Sequence, residues 1–318
     1  MLKVYDCSNS PERPPHRGGG GPVENGMVSL LKKYARHYDA AFVDKPTEAD
    51  VIFTNDVFPQ DVLKLNLPRV KRMDGVFWQE ALRERNIPYV EAANKADAVI
   101  FISEYSRQSF LRHYSASPGV SHVVRSWVDP NVFYPGEGVM SDKPLMAVAC
   151  ASSWDRPEKR LDAILRFVEL TGVHVNLVGR ISTKPSNRKA WALGEMNPTD
   201  LAKTLHISDF FLNFSYRDAG PKVVAEACAC GLPVLYADSG GTKEMVTVGV
   251  PIEDDAPWEF EEKTPPLNEP GMEKAWSWLK ERWEEVSSLA FRGACDGGKN
   301  VDFCLRGYFD VFKSAVGR

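Results

Sequence analysis

Short apolar runs alternate with helix-patterned stretches along almost the whole chain, and this alternation restricts the fold more than any single motif does. Residues 2–7, 40–43, 51–54, 70–73, 98–103 and 123–128 read as strands, with helical spacing at 24–37, 87–95 and 104–114. Strands separated by crossover helices form parallel sheets with helices on both faces. Residues 135–144, Pro-Gly-Glu-Gly-Val-Met-Ser-Asp-Lys-Pro, then interrupt the pattern with linker chemistry. A second series follows, with strands at 145–150, 173–178, 210–214 and 233–237 and helices at 159–170, 199–205 and 222–230. The expected fold is α/β: two Rossmann-like, doubly wound parallel-sheet domains. Their ligand site is expected in a central cleft, at the carboxyl ends of both sheets.

A chain of 318 residues accommodates two such cores. A hydrophobic fraction of 43% with 26% charged residues excludes a disordered chain, and a net charge of −4 gives no support for a nucleic-acid partner. The N-terminal Met-Leu-Lys-Val-Tyr-Asp reads as a first strand and not as a signal peptide, and no apolar run reaches membrane-spanning length. The six cysteines lack paired metal-ligand spacing, so Cys228 and Cys230 read as buried thiols. A reducing, cytosolic compartment fits this composition, and peripheral contact with a membrane surface stays open. Residues 253–270 are acidic and proline-bearing, and are expected to form a solvated loop. Beyond them Trp276, Leu279, Trp283 and Val286 fall at helical spacing, as do Val301, Cys304, Leu305, Tyr308, Phe309 and Phe312; both sets read as core-facing helices.

Residues 218–244 carry the most chemistry. Asp218 and Glu226 stand eight residues apart across the start of a helix, with Gly220 and Pro221 in the loop and apolar strands on either side. Such a joint can hold a nucleotide sugar, its backbone N–H groups facing a diphosphate and its carboxylate facing hydroxyls. Other segments are less committed. The run from Gly18 to Gly26, including Gly19, Gly20 and Gly21, follows the first strand and opens a helix. A G-x-G-x-x-G register needs glycine at Val23 or Glu24, and a Walker A reading needs Lys and Ser/Thr where Met27 and Val28 stand; both fail. A phosphate contact and an exposed loop remain equally open there. Asp44, after the second strand, keeps a nicotinamide-dependent reading in play. Asp74 ends a strand beside Gly75, as a turn former or as a cleft-facing carboxylate. Arg156, Lys159 and Arg160 lie at a strand-to-helix turn, where cations can neutralise a diphosphate or simply be solvated; Lys159, which opens the helix, is the favoured ligand. Gly179 and Arg180 end a strand whose backbone borders the same cleft. The histidines show neither metal spacing nor a nucleophile partner, and there is no Gly-x-Ser-x-Gly elbow.

Together these segments resemble the family 4 glycosyltransferases of the GT-B fold. Asp218 to Glu244 is similar to that family's Glu-x7-Glu signature with its Glu-Ala-x-Ala-x-Gly-x-Pro-Val and Gly-Gly-x-x-Glu continuation. Supporting likeness comes from residues 96–106, from residues 128–135, from the Lys159 turn and from the Gly18 loop. The resemblance implies a retaining hexosyltransferase, metal-independent and without a cofactor. It would move a sugar from a UDP or GDP donor to a hydroxyl of a sugar, glycan or lipid-linked acceptor, in glycan or glycoconjugate synthesis. A nucleotide-sugar-binding regulatory protein of the same fold, without turnover, is the alternative. An acceptor-side domain would span 1–137, joined by a terminal helix at about 300–318, and a donor-binding domain would span 138–299.

Carried over by position, Asp218 would contact donor-sugar hydroxyls and Glu226 the ribose. Ala219, Gly220 and Val223 would supply backbone groups to sugar or phosphate, and Pro221 has no N–H to give. Lys159, with Arg156 or Arg160, would bind the diphosphate and stabilise its charge as the glycosidic bond breaks. Glu195 and Met196 fall where the family's base-binding loop lies. Three departures alter this pattern. The first signature acid is Asp218, one methylene shorter than Glu. Ala219-Gly220-Pro221 replaces Gly-Phe-Gly and is followed by Lys222, a further phosphate cation. Asp74 stands where the family often has His, as a donor ligand, an acceptor ligand or a base. In a front-face retaining mechanism the leaving phosphate can take the acceptor proton, so no base at Asp74 is required.

Overall fold

Two six-stranded, all-parallel sheets organise the protein, as seen in a computed structural model that describes residues 1–8, 23–114, 119–136, 144–296 and 298–317. The chain divides into two units. Unit 1 comprises Met1–Trp127, Trp258–Phe260 and the chain from Asp302 onward; unit 2 comprises Val128–Pro257 and Glu261–Val301.

In unit 1 the strands are β1 (Leu2–Asp6), β2 (Ala40–Val43), β3 (Val51–Thr54), β4 (Arg69–Met73), β5 (Ala98–Phe101) and β6 (Val120–Val123), in the order β2-β1-β3-β4-β5-β6. Every residue of β3 and β5 is buried, the signature of strands covered on both faces. Helices α1 (Val23–Tyr34), α2 (Gln60–Leu63), α3 (Ile87–Asn94) and α4 (Glu104–His113) connect them. Ser103 caps α4 by accepting the Ser106 N–H at 2.9 Å.

The expected strand at 123–128 is displaced to 120–123. Val124 and Trp127 are apolar for another reason: they are buried under the last helix of the chain, Trp127 edge-on to Tyr308 at 4.9 Å and Val124 beside Gly307. On that helix Tyr308, Phe309 and Phe312 are fully buried, and Phe312 meets Phe53 of β3 at 5.3 Å.

Unit 2 contains β7 (Met146–Ser153), β8 (His174–Arg180), β9 (Ala190–Gly194), β10 (Phe210–Asn213), β11 (Val234–Ala237) and β12 (Gly249–Ile252), in the order β12-β11-β10-β7-β8-β9. Its helices are α5 (Leu161–Thr171), α6 (Pro198–His206), α7 (Lys222–Ala229), α8 (Thr242–Met245), α9 (Glu269–Glu281) and α10 (Trp283–Asp296), and the last helix of the chain is α11 (Gly298–Ala315), which belongs to unit 1 from Asp302 onward. Alternation along β10 builds a core on each face of the sheet. Phe210 packs with Phe167, Phe214 and Trp276 on one side, and Phe211 with Val224, Leu205 and Val178 on the other. Two edge strands escape the sequence reading. β9 exposes Trp191 and Leu193, and β12 contains Pro251, which an edge position tolerates.

The strand orders fix where each unit can bind a ligand. In unit 2 the chain runs outward from β7 through β8 to β9, then restarts at β10 on the other side of β7. The connections leaving the neighbouring strands β7 and β10 therefore run to opposite sides, and their first residues lie side by side around a crevice at the carboxyl edge of the sheet. In unit 1 the same reversal lies between β1 and β3.

Phe167→Ala removes a fully buried ring that touches Phe210, Phe214 and Trp276. It is expected to cost about 3–5 kcal/mol. Chemical denaturation would show this as a lower midpoint for unit 2.

Candidate functional site

The crevice of unit 2 is lined by the two loops that the strand reversal separates. After β7 the chain makes a short 3-10 turn at Pro157–Lys159 and enters α5 through Arg160. After β10 it passes through Phe214–Pro221 into α7, whose start has no side-chain cap. One ion pair joins them: Lys159 Nζ donates to Asp218 Oδ2 at 2.6 Å. The backbones are joined as well, since the Tyr216 N–H donates to the Glu158 carbonyl at 2.8 Å.

Asp218 is held from three directions. Its Oδ1 accepts the Gly220 N–H at 3.2 Å, and its carbonyl accepts the Gly241 N–H at 2.7 Å from the loop after β11. Gly240 in that loop has φ +70, and a Cβ there would lie 2.4 Å from the Asp218 carbonyl oxygen. Only glycine permits this approach. Burial alone would raise the Asp218 carboxyl, but the Lys159 ammonium and the Gly220 N–H outweigh it and hold the group below the ordinary aspartate value. It is therefore a carboxylate at neutral pH.

Glu226 behaves in the opposite way. It lies one turn along α7 from Lys222, whose Nζ is 3.3 Å from its Oε1, but burial dominates and raises its pKa. The two signature acids thus have carboxyl groups pushed in opposite directions by their surroundings.

The other predicted residues occupy distinct places. Arg156 donates through Nε to Glu158 Oε1 at 2.6 Å, is partly exposed, and contributes to lowering the Asp218 pKa. Lys222 and Val223 form the first turn of α7, and Val223 also packs on the core below. Ala219 and Gly220 are half-buried in the loop. Gly179 lies inside β8 with φ +119, and a Cβ there would meet the Ala151 carbonyl oxygen at 1.7 Å, so backbone packing against β7 already requires glycine. Arg180 is exposed, and its carbonyl accepts the Trp154 N–H at 2.9 Å. Glu195 is exposed and Met196 half-buried just beyond β9, at the same carboxyl edge; Thr204 Oγ1 donates to the Met196 sulfur at 3.3 Å. Gly19, Gly20 and Gly21 lie outside the described residues. Asp74 belongs to unit 1, where it follows β4, is largely exposed and pairs with Arg72 Nη2 at 3.0 Å.

Arg160 departs from the sequence expectation. Its guanidinium points into unit 2, where it is buried and bound to both oxygens of Asp254 at 2.8 and 3.1 Å. A cation committed in this way is part of the frame, whereas Lys159, Arg156 and Lys222 stand on the loops and helix start that line the crevice.

Arg217, Asp254 and Glu261 were missed by sequence reasoning. Arg217 is buried beside Asp218, and its Nη1 is 3.0 Å from Glu261 Oε2. The expected solvated stretch at 253–270 is therefore corrected: charge usually seeks water, but here two of its carboxylates meet buried guanidinium groups instead. The only sequence signal was Arg217 itself, an arginine set in the run Phe-Ser-Tyr-Arg-Asp. Unit 1 also hides Lys71, a buried lysine on β4 that donates to the Asn55 carbonyl at 3.0 Å. Burial lowers its pKa to about 8, against the pull of the neighbouring Asp74 and Asp56. Among the described residues no group of three or more His, Cys, Asp or Glu is placed to hold a metal ion.

Comparison with known proteins places this geometry. Residues 176–255, which include Asp218 and Glu226, match the family model described as Glycosyl transferases group 1. A D-inositol 3-phosphate glycosyltransferase of Mycobacterium marinum is 28% identical over 187 residues, 52% of this chain and 40% of that protein. Its counterpart in Mycolicibacterium gilvum is 26% identical over 187 residues, covering 52% of this chain and 42% of that protein. The chain thus spans about two fifths of the length of the curated relatives it matches. Among solved structures, Anabaena HepE in complex with UDP and glucose superposes with a TM-score of 0.68 at 16% identity, covering 99% of this chain and all of that one. Sucrose-phosphate synthase from Thermosynechococcus elongatus gives 0.67 at 16% identity, over 98% of this chain and 88% of that one. The fold is GT-B, and the segment that carries the two acids of the crevice matches the group 1 glycosyl transferases.

Proposed function

We propose that the protein is a retaining, metal-independent glycosyltransferase that moves a hexosyl group from a nucleoside-diphosphate sugar to a hydroxyl acceptor. The observation that carries this reading is the Lys159–Asp218 pair, which sets a cation and an ionised carboxylate side by side at the strand reversal of unit 2. The family match over residues 176–255, which contain Asp218, and the UDP and glucose bound by HepE, support it. UDP and GDP sugars are the donors favoured here, and the acceptor is a sugar, glycan or lipid-linked hydroxyl. The D-inositol 3-phosphate glycosyltransferases among the relatives are consistent with a hydroxyl acceptor. Among the described residues no helix is long and apolar enough to cross a membrane.

In this reading the donor diphosphate lies across the start of α7 and against Lys159 and Arg156, with Lys222 as a third cation. Glu226 accepts hydrogen bonds from the ribose hydroxyls. Asp218 accepts one from a sugar hydroxyl while remaining in contact with Lys159. As the bond from the anomeric carbon to the phosphate oxygen breaks, charge builds on that oxygen, and the fixed ammonium of Lys159 stabilises it without a metal ion. The acceptor hydroxyl attacks from the face the phosphate leaves, and the phosphate oxygen takes its proton. No base at Asp74 is then required.

The direct test is release of UDP or GDP from a panel of nucleotide sugars, with and without candidate acceptors. Acceptor-dependent release is expected. Tight binding with no release under any acceptor would establish instead the non-catalytic, nucleotide-sugar-binding alternative.

Lys159→Ala is expected to lower kcat by about 100- to 1,000-fold, the scale on which a single charge-stabilising group acts. Circular dichroism should confirm that the variant is folded, and unchanged turnover would remove the diphosphate role of Lys159.

Glu226 gives a pH dependence. Its folded-state pKa is raised, so its contribution to stability is present below the ordinary glutamate value and lost as pH rises through the raised one. Ribose binding needs the ionised form. Nucleotide affinity should therefore fall on acidification before Asp218, held below its ordinary value, is protonated. Calorimetry across this range should show the step in the wild type and not in Glu226→Gln.

A further inference from the structure

Two of the three non-glycine residues with left-handed backbone among the described residues are Arg160 (φ 49) and Arg217 (φ 51). They fall in the two loops that line the crevice, Arg160 directly after Lys159 and Arg217 directly before Asp218. A side-chain-bearing residue in this conformation costs free energy and persists only where its surroundings over-determine it. Here the over-determination is visible. Arg160 gives Nη1 and Nη2 to Asp254 at 2.8 and 3.1 Å and Nε to the Pro265 carbonyl at 3.0 Å. Arg217 gives Nη1 to Glu261 Oε2 at 3.0 Å, and the same oxygen accepts the Tyr216 hydroxyl at 2.7 Å. The Tyr216 ring closes the set, with the Arg160 guanidinium 4.6 Å from its centroid. Both arginines are buried, and both carboxylates come from the stretch between β12 and α9.

We propose that Asp254 and Glu261 are positioning residues for the donor site. They form a two-pronged carboxylate clamp that locks Arg160 and Arg217 in left-handed conformation and so sets the separation of Lys159 and Asp218 for a nucleoside-diphosphate sugar. The proposal rests on the donor-site reading above and adds to it what holds the site open and in register. Neither carboxylate touches the substrate. Each acts through the backbone of the residue adjoining a ligand, and the Tyr216–Glu158 hydrogen bond makes the two loops move as one. Stability alone does not explain the arrangement, because apolar side chains of similar volume commonly replace a buried ion pair at no loss. What an apolar replacement would not supply is a directional hold on two left-handed residues that flank the working pair.

The test compares the wild type with Asp254→Asn, Glu261→Gln and the double variant Arg217→Gly/Glu261→Gln. Glycine adopts the left-handed backbone without strain, so the double variant removes the guanidinium that Glu261 holds and keeps the loop conformation available. Hydrogen–deuterium exchange of the ligand-free proteins is followed at residues 156–161 and 214–221, and UDP, GDP and their sugars are titrated calorimetrically. Both single variants should exchange faster at the Tyr216 amide. They should bind nucleotide about tenfold more weakly and raise the donor KM more than they lower kcat, and the double variant should recover most of the affinity. Unchanged exchange in folded Glu261→Gln would overturn the clamp. So would faster exchange with unchanged affinity and KM, or a double variant as impaired as the single one. If Asp254→Asn does not fold, Glu261→Gln carries the test, because Glu261 is partly exposed. A wild type that binds no nucleotide would sink the donor-site reading, while the exchange comparison would still decide the clamp.

Discussion

The hydrogen bond between Lys159 Nζ and Asp218 Oδ2, 2.6 Å long, spans the point at which unit 2 reverses its strand order. Most of the site's geometry can be referred to it. The pair requires the loops after β7 and β10 to converge, although Lys159 and Asp218 are 59 residues apart in the chain. The sheet supplies that convergence by hydrogen-bonding β7 directly to β10, with Ala147, Val148 and Ala149 opposite Phe210, Phe211 and Leu212. Phe210 and Phe211 anchor β10 in opposite cores, which fixes the height of the loop above it. The Gly240–Gly241 turn after β11 then closes on the Asp218 backbone from the far side.

Around this pair the protein places charge where solvation is poor. Buried ion pairs are weak sources of stability, because desolvation offsets much of the attraction, but removing one partner is costly. The Arg160–Asp254 and Arg217–Glu261 contacts, like the Lys222–Glu226 pair, are better understood as geometric than as stabilising devices. A site that must hold a diphosphate needs cations that do not relax onto it from solvent. In the proposed function, fixing the backbones of Arg160 and Arg217 beside Lys159 and Asp218 would remove a reorganisation cost at the moment charge develops. The contrast between Asp218, held ionised, and Glu226, pushed toward the neutral form, follows from the same poor solvation met differently: Lys159 and the Gly220 N–H outweigh it at Asp218, whereas Lys222 does not at Glu226.

Much of the fold was legible because it depends on short-range patterning. The central strands at 51–54, 98–101 and 210–213 are buried on both faces, so their apolar runs stand out in the sequence. The edge strands β9 and β12 do not: one has exposed apolar side chains and the other a proline. The run at 123–128 misled because Val124 and Trp127 are apolar to receive the terminal helix and not to pair with a neighbouring strand. In the site, Asp218, Glu226 and Lys159 could be found because each adjoins a strand-to-helix turn whose chemistry is local. Arg160 reads as a diphosphate ligand and Arg217 is passed over, since their partners lie 94 and 44 residues further along the chain in a stretch whose composition suggests solvation. Long-range charge pairing leaves no periodicity to read.

The most direct measurement is a structure of the protein with the nucleotide sugar that binds most tightly. The account predicts the diphosphate between the loops after β7 and β10, with Lys159 Nζ and the Gly220 N–H within hydrogen-bonding distance of phosphate or sugar oxygens and Glu226 at the ribose. A nucleotide bound away from these two loops, or one whose phosphates leave Lys159 and Asp218 untouched, would contradict it.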